Sequence, residues 1–251
     1  MELRVHLPEE LLDEIFNNLL SVDRRSLQRC SLVSKVWLEL SQRVLFSSIR
    51  VDINAYNSWL DKIPPTNTGI LRYVRSLEYF LHGDGTTYPT KGVYALRDYF
   101  PSLSHLRALT FRNVDVEPTI PDNLEIFSPF QHTLSSLSFV QDSISWSAFV
   151  ALLGYFPRLR HLEIRKLSFQ VDGRPAPKIR HALCGRLVVA LSGSSGMQPF
   201  ISRFSGLRPQ YEELVMLGLY EHRLAVAVRA SLRSLKINQF KGTSLVHPML
   251  N

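Results

Sequence analysis

A short pattern, apolar-x-x-apolar-x-apolar, returns eight times along the chain and restricts its folding more than any other feature. The triplets are Phe46/Ile49/Val51, Val74/Leu77/Tyr79, Leu106/Leu109/Phe111, Leu134/Leu137/Phe139, Leu159/Leu162/Ile164, Cys184/Leu187/Val189, Tyr211/Leu214/Met216 and Leu232/Leu235/Ile237. From one middle residue to the next the steps are 28, 32, 28, 25, 25, 27 and 21 residues. Alternating apolar positions suit a strand buried on one face, and units of this length hold one strand and one return segment. Neither piece can bury its apolar side until a neighbour stacks on it, so the units must build an array.

The words around the triplets recur, as in Ser102-Leu103-Ser104-His105-Leu106-Arg107-Ala108-Leu109-Thr110-Phe111 and Phe156-Pro157-Arg158-Leu159-Arg160-His161-Leu162-Glu163-Ile164. Helical stretches precede two of them: Trp146 to Tyr155, with Ala148, Phe149, Leu152 and Leu153 apolar, and Gly92 to Phe100. Pro101 and Pro157 are placed to end those helices before the next strand. The spacing resembles that of leucine-rich repeats, whose period is roughly 20–29 residues. The resemblance implies a curved, irregular solenoid over residues 49–251, with a parallel sheet inside and helices outside, in the α/β class. The repeats are degenerate: Val114, Asp142, Leu167 or Ser192 stands where an Asn or Cys would be expected, so a buried asparagine ladder is not predicted. Fourteen residues, Asn238 to Asn251, follow the last strand without a recognisable cap, which predicts an exposed final edge.

The first 48 residues have a different character. Pro8, Leu11, Leu12, Ile15, Phe16 and Leu19 occupy one face of a 3.6-residue helix that begins at the proline, with Glu9, Glu10, Asp13 and Glu14 near its positive end. Asp23 is placed to cap a second, short helix carrying Leu27 and Cys30 inward. A third is expected from about Ser31 to Val44, with Val33, Val36, Trp37, Leu40 and Val44 on one stripe. So small a unit rarely supports itself without a disulfide, a metal or a partner, and its surplus apolar surface must meet other parts of the chain or another protein.

The series L-P-x-E-L-L-x-x-I-F-x-x-L from Leu7, then S-L-x-x-C-S-L-V-S-K-x-W ending at Trp37, then Leu45-Phe46, resembles an F-box. Ser34 departs from the pattern, which often has cysteine there. An F-box followed by irregular leucine-rich repeats is similar to many fungal F-box proteins, and the resemblance implies binding to the Skp-type adaptor of a cullin-RING ubiquitin ligase. On that basis the adaptor-facing or interface-supporting positions are Leu7, Pro8, Leu11, Ile15, Leu19, Leu27, Leu32, Val33 and Trp37. The competing reading is that several of these, Leu19, Val33 and Trp37 above all, simply form the unit's own core.

Other features narrow the alternatives. No membrane-spanning run and no signal-peptide pattern is present, which predicts a cytoplasmic or nuclear protein. Cys30 and Cys184 are too few for a disulfide framework and are expected to be buried, reduced thiols. The eight histidines show no zinc-binding spacing, no cofactor loop stands out, and no nucleophile or carboxylate pair suggests an enzyme. Residues 82–89 and 192–199, rich in Gly, Ser, Thr and Pro, are expected to be surface loops.

Residues 1–46 carry a net charge of −1, leaving +8 for the remaining chain. From Arg158 to Arg186 there are eight basic residues against two acidic ones, Asp172 and Glu163. Three readings apply to that stretch: a surface for an acidic or phosphorylated protein, a nucleic-acid contact, or a solvated face of a basic protein. In the repeat geometry Arg107, Arg160, Glu163, Arg186 and Lys236 are the candidates for the inner, substrate-facing surface. The leading expectation is a non-catalytic substrate receptor of a Skp-cullin-F-box ligase. The alternatives are an F-box scaffold without a ubiquitination role and a basic repeat protein that binds nucleic acid.

Overall fold

A computed structural model of the 251-residue chain describes residues 8–52, 68–80, 99–113, 124–141, 143–170, 173, 175–190, 194–217, 222–238 and 244–246. Three helices lead: α1 (Glu9–Val22), α2 (Arg24–Cys30) and α3 (Lys35–Leu45). The strands that follow are β1 (Ser48–Asp52), β2 (Ser76–Phe80), β3 (Ala108–Arg112), β4 (Ser136–Val140), β5 (Ser143–Ser145), β6 (His161–Arg165), β7 (Ser168–Gln170), β8 (Cys184–Ala190), β9 (Gln210–Leu217), β10 (Ser234–Asn238) and β11 (Ser244–Val246). Nine of them form one sheet in the order β1-β2-β3-β4-β6-β8-β9-β10-β11, while β5 and β7 pair separately. Between strands the chain returns through α4 (Trp146–Tyr155), α5 (Ser194–Gly206), α6 (His222–Val228) and 3-10 segments at Thr68–Tyr73, Phe100–Leu103 and Leu124–Phe130.

The second and third residues of all eight triplets lie on parallel strands of this sheet and align, while the first residue precedes its strand in six of them, Phe46 being the C-cap of α3. Ile49, Leu77, Leu109, Leu137, Leu162, Leu187, Leu214 and Leu235 pair strand to strand in one row. Two residues on, Val51, Tyr79, Phe111, Phe139, Ile164, Val189, Met216 and Ile237 form a second row on the same face. Because side chains alternate across a strand, a one-residue slip would expose both rows; the repeated spacing therefore fixes the register. Behind the rows Phe100, Phe127, Phe130, Phe156, Phe200 and Phe204 are fully buried, which makes the core strongly aromatic. Helix α4 has the bounds its periodicity predicts, and Ser145 caps it by accepting the Ala148 N–H. It is buried almost all round, as a helix apolar on every side must be.

Several expectations need correction. The third helix starts at Lys35, not Ser31, because the Ser34 side chain accepts the Trp37 N–H and sets the N-terminus there. Val33 and Val36 leave the expected stripe and are 65 % and 62 % exposed. Residues 194–199, read as loop, are the first turns of α5, since Phe200, Ile201 and Phe204 need a helix to reach the core. The segment at 82–89 lies outside the described residues, as does most of 92–100. Pro101 sits in the first turn of the Phe100–Leu103 segment.

Both cysteines are half-buried rather than buried. In the sixth unit Leu183 takes the buried place assigned to Cys184, because a bulge at Gly185/Arg186 shifts the pairing of β8 with β9. The outer edge of β10 is paired at Lys236–Asn238 with the antiparallel β11, so the final edge is not bare there. Of the positions replacing the ladder asparagine, Leu167 is buried and Val114, Asp142 and Ser192 lie outside the described residues. What recurs instead is a left-handed residue directly after β3, β4 and β6: Asn113 (φ 59°), Gln141 (φ 55°) and Lys166 (φ 52°). Each donates its N–H to the last carbonyl of the next strand in the sheet, at Val140, Arg165 and Ala190 respectively.

Candidate functional site

The first surface of interest is set by how α1, α2 and α3 share their apolar residues. Leu12, Phe16, Leu27, Leu40 and Val44 form a closed core, against which Leu19, Leu20, Cys30, Trp37 and Leu45 pack. Phe16 meets Trp37 edge to face with centroids 5.3 Å apart, an arrangement the ring quadrupoles favour. An Arg43–Asp13 ion pair ties α3 to α1. Asp23 caps α2 by accepting the Arg25 N–H at 2.9 Å. Its carboxyl is held below the usual range, chiefly by the Ser26 hydroxyl and then by that backbone donor.

That core leaves a second set of large apolar side chains in water. Leu11 and Ile15 are exposed on α1, with Val22 on the same side of the helix; Leu32 and Val33 are exposed in the α2–α3 turn, and Val36 and Leu38 on α3. The apolar face predicted for α1 therefore divides. Leu12 and Phe16 turn inward, while Leu11 and Ile15 stay out. Of the nine adaptor candidates, Pro8, Leu11, Ile15, Leu32 and Val33 are exposed, Leu19 and Trp37 pack partly against the core, and Leu7 lies outside the described residues. Leu27 is wholly buried, so it supports the unit from inside and cannot touch a partner directly. Sequence reading missed the exposure of Val22, Val36 and Leu38. For Val22 a signal existed, since it follows Ile15 by two helical turns.

The helical unit is anchored to the sheet. The Ser47 carbonyl accepts the N–H groups of Arg75 and Ser76, continuing the strand ladder up to the end of α3. Arg72 lies 3.8 Å from Glu39 and its guanidinium stacks over Tyr73 at 4.7 Å.

The second surface is the sheet face opposite the apolar rows. One row across it reads Arg50, Glu78, Thr110, Ser138, Glu163, Val188, Val215 and Lys236. The acids of this face, Glu78 and Glu163 in that row and Glu213 two residues before Val215, are each held by neighbours. Glu78 receives Arg50 Nε at 2.9 Å and Arg112 Nε at 2.6 Å, joining three strands. Glu213 receives Lys236 Nζ at 2.8 Å, with Arg186 at 3.5 Å. Glu163 accepts the Ser138 hydroxyl at 3.0 Å and pairs with Arg165. Partial burial would raise the Glu78 carboxyl, yet the two arginines overcome it and hold the group below its ordinary value. Glu213 is also lowered, first by the Lys236 hydrogen bond. His161 beside them is pushed down by burial.

Among the five substrate-facing candidates, Glu163, Arg186 and Lys236 lie on this face. Arg107 and Arg160 do not: each stands immediately before its strand, in phase with the apolar rows, on the edge where the strands begin. The sequence motif located the strand but not its first hydrogen-bonded residue, which decides this placement. Among the described residues no group of three or more His, Cys, Asp or Glu could hold a metal ion, and no helix is long and apolar enough to cross a membrane.

The three-helix unit thus combines a closed core with exposed leucines, an isoleucine and valines. The F-box-like family model matches residues 5–51, the segment that contains the three helices. An F-box-like domain supports in turn a Skp-type adaptor as partner and a role in a Skp-cullin-F-box ligase; F-box proteins are generally non-catalytic adaptors. No curated protein matches the chain. The match runs past α3 into β1.

Proposed function

We propose that the chain is the substrate-recognition subunit of a Skp-cullin-F-box ubiquitin ligase, of the fungal type. In this reading residues 1–48 bind the Skp-type adaptor, and residues 49–251 are degenerate leucine-rich repeats that hold a protein substrate. The observation that carries it is the set of exposed apolar side chains Leu11, Ile15, Leu32, Val33 and Val36 on the unit matching the F-box-like model. Large apolar residues left in water beside a complete core favour a partner groove. The in-register rows support the repeat reading, and the polar sheet face supports protein rather than nucleic acid as cargo. Its cations alternate with Glu78, Glu163 and Glu213, whereas a nucleic acid needs a stripe of one sign. The protein would perform no chemistry itself and would act in the cytoplasm, the nucleus or both.

The test is co-purification of the full chain with a Skp-type adaptor. Leu11→Ala/Ile15→Ala protein with unchanged thermal unfolding should lose the adaptor; undiminished capture would sink the assignment. Blocking the ligase should raise the level of a captured protein. A scaffold without a ubiquitination role would leave that level unchanged.

A further inference from the structure

On the edge where the strands begin, the residues just before β2, β3, β4 and β6 are Arg75, Arg107, Ser135 and Arg160. They are neighbours in one hydrogen-bonded row. The Arg75 carbonyl accepts the N–H groups of Arg107 and Ala108, that of Arg107 accepts Ser135 and Ser136, and that of Ser135 accepts Arg160 and His161. The backbone of the row is thus fixed and its amides are consumed, so any ligand must be read by side chains.

Unlike the cations of the open sheet face, the three arginines have no acidic partner among the described residues. Arg107 and Arg160 are exposed, and Arg75 is half-buried with one guanidinium N–H on the His105 carbonyl. The charges act on one another as well. Partial burial, then Arg107 and Arg43, make the charged form of Arg75 less favourable than usual. A row of like charges with rigid roots and no counter-charge is a pre-formed anion site, since arginine binds carboxylate and phosphate in a planar, two-pronged manner.

We propose that this arginine row binds an extended acidic segment of a protein, as the cargo contact of the receptor described above. The dimensions fit a short segment rather than a polymer. Three strand steps of about 4.8 Å put Arg160 about 14 Å from Arg75, the length of about four to five extended residues. The acids of the adjoining sheet face, Glu78 and Glu163, are already engaged by their own arginines, and their sign disfavours a long polyanion laid across the sheet.

The inference rests on the receptor reading but is tested apart from it. Full-length protein is titrated into a fluorescent peptide of alternating Glu and Ser, followed by anisotropy, with a single-stranded oligonucleotide of equal charge as comparison. Arg107→Glu/Arg160→Glu protein should bind the peptide at least tenfold more weakly. Arg107→Gln/Arg160→Gln should fall between it and the parent, with thermal unfolding unchanged because both side chains are exposed. Arg165→Gln, on the sheet face, should leave peptide binding intact. Equal peptide affinity of the parent and the charge-reversed protein, or tighter binding of the oligonucleotide than of the peptide, would overturn the proposal. Failure to capture a Skp-type adaptor would remove the ligase role and leave this peptide result standing.

Discussion

Replacing Gly185 by alanine should be among the most damaging single-methyl changes this chain can suffer. Gly185 lies at the bulge of β8, where its neighbour Arg186 pairs with Glu213 while Gly185 itself pairs with Tyr211. Its φ of +95° is open to glycine and costly to any L side chain. A Cβ there would stand 2.1 Å from the Arg160 carbonyl oxygen and 3.1 Å from the Arg160 Cα. That same oxygen accepts the Arg186 N–H at 2.7 Å, so β6 and β8 cannot separate without weakening the ladder that joins them. The left-handed backbone costs about 1–2 kcal/mol. Relief of the clash, by analogy with overpacking, adds about 1–3 kcal/mol, so the loss should be roughly 2–5 kcal/mol. For a chain of this size that corresponds to a fall in Tm of roughly 4–20 °C. Urea denaturation of the full chain measures it, with Gly154→Ala as the control. A Cβ at Gly154, inside α4, meets only Ile179 Cγ1 at 3.8 Å, and that variant should match the parent or gain up to about 1 kcal/mol. A Gly185→Ala protein within about 1 kcal/mol of the parent would refute the reasoning, since the close approach of β6 and β8 would then have to relax almost freely.

Ser34→Ala removes the cap of α3 and should cost about 0.5–2 kcal/mol, read as a lower urea midpoint; Ser34→Asp, which keeps an acceptor, should restore most of it. The carboxyls of Glu78 and Glu213 are depressed in the folded protein, so their contribution is present above the unfolded value and is lost as pH falls through the folded ones. Stability should therefore drop as pH falls below the ordinary carboxylate value of 4.5, and Glu78→Gln should flatten this acid limb in a series of Tm measurements. An unchanged limb would mean that the Arg50–Glu78–Arg112 bridge does not persist in solution.

Much of the fold was legible because the spacing of the triplets encodes it. Middle residues 21 to 32 positions apart meet in one row, and the proline-led α1 and the bounds of α4 follow from helical periodicity. The errors share a cause. Helical periodicity misplaces Val33 and Val36 and local composition misplaces residues 194–199, because their fates depend on the Ser34 cap and on the core position of Phe200 and Phe204. The candidate site was legible as a set of residue types rather than as a surface. Helical phase put Leu11 and Leu12 on the same face, and only packing against Leu40 and Val44 showed that Leu12 closes the core while Leu11 stays in water.

The sequence by itself determined the order of the elements and the register of the sheet, because a period-2 apolar pattern repeated at nearly constant intervals has one alignment that buries both rows. The tertiary structure decided which charges meet. Glu78 lies far from Arg50 and Arg112 in sequence and touches both, whereas Arg107 and Arg160 come to the edge of the sheet with no acid beside them among the described residues. Ion pairing depends on distances of a few ångströms between side chains from different strands, and one residue of strand phase decides whether a cation meets an acid on the neighbouring strand.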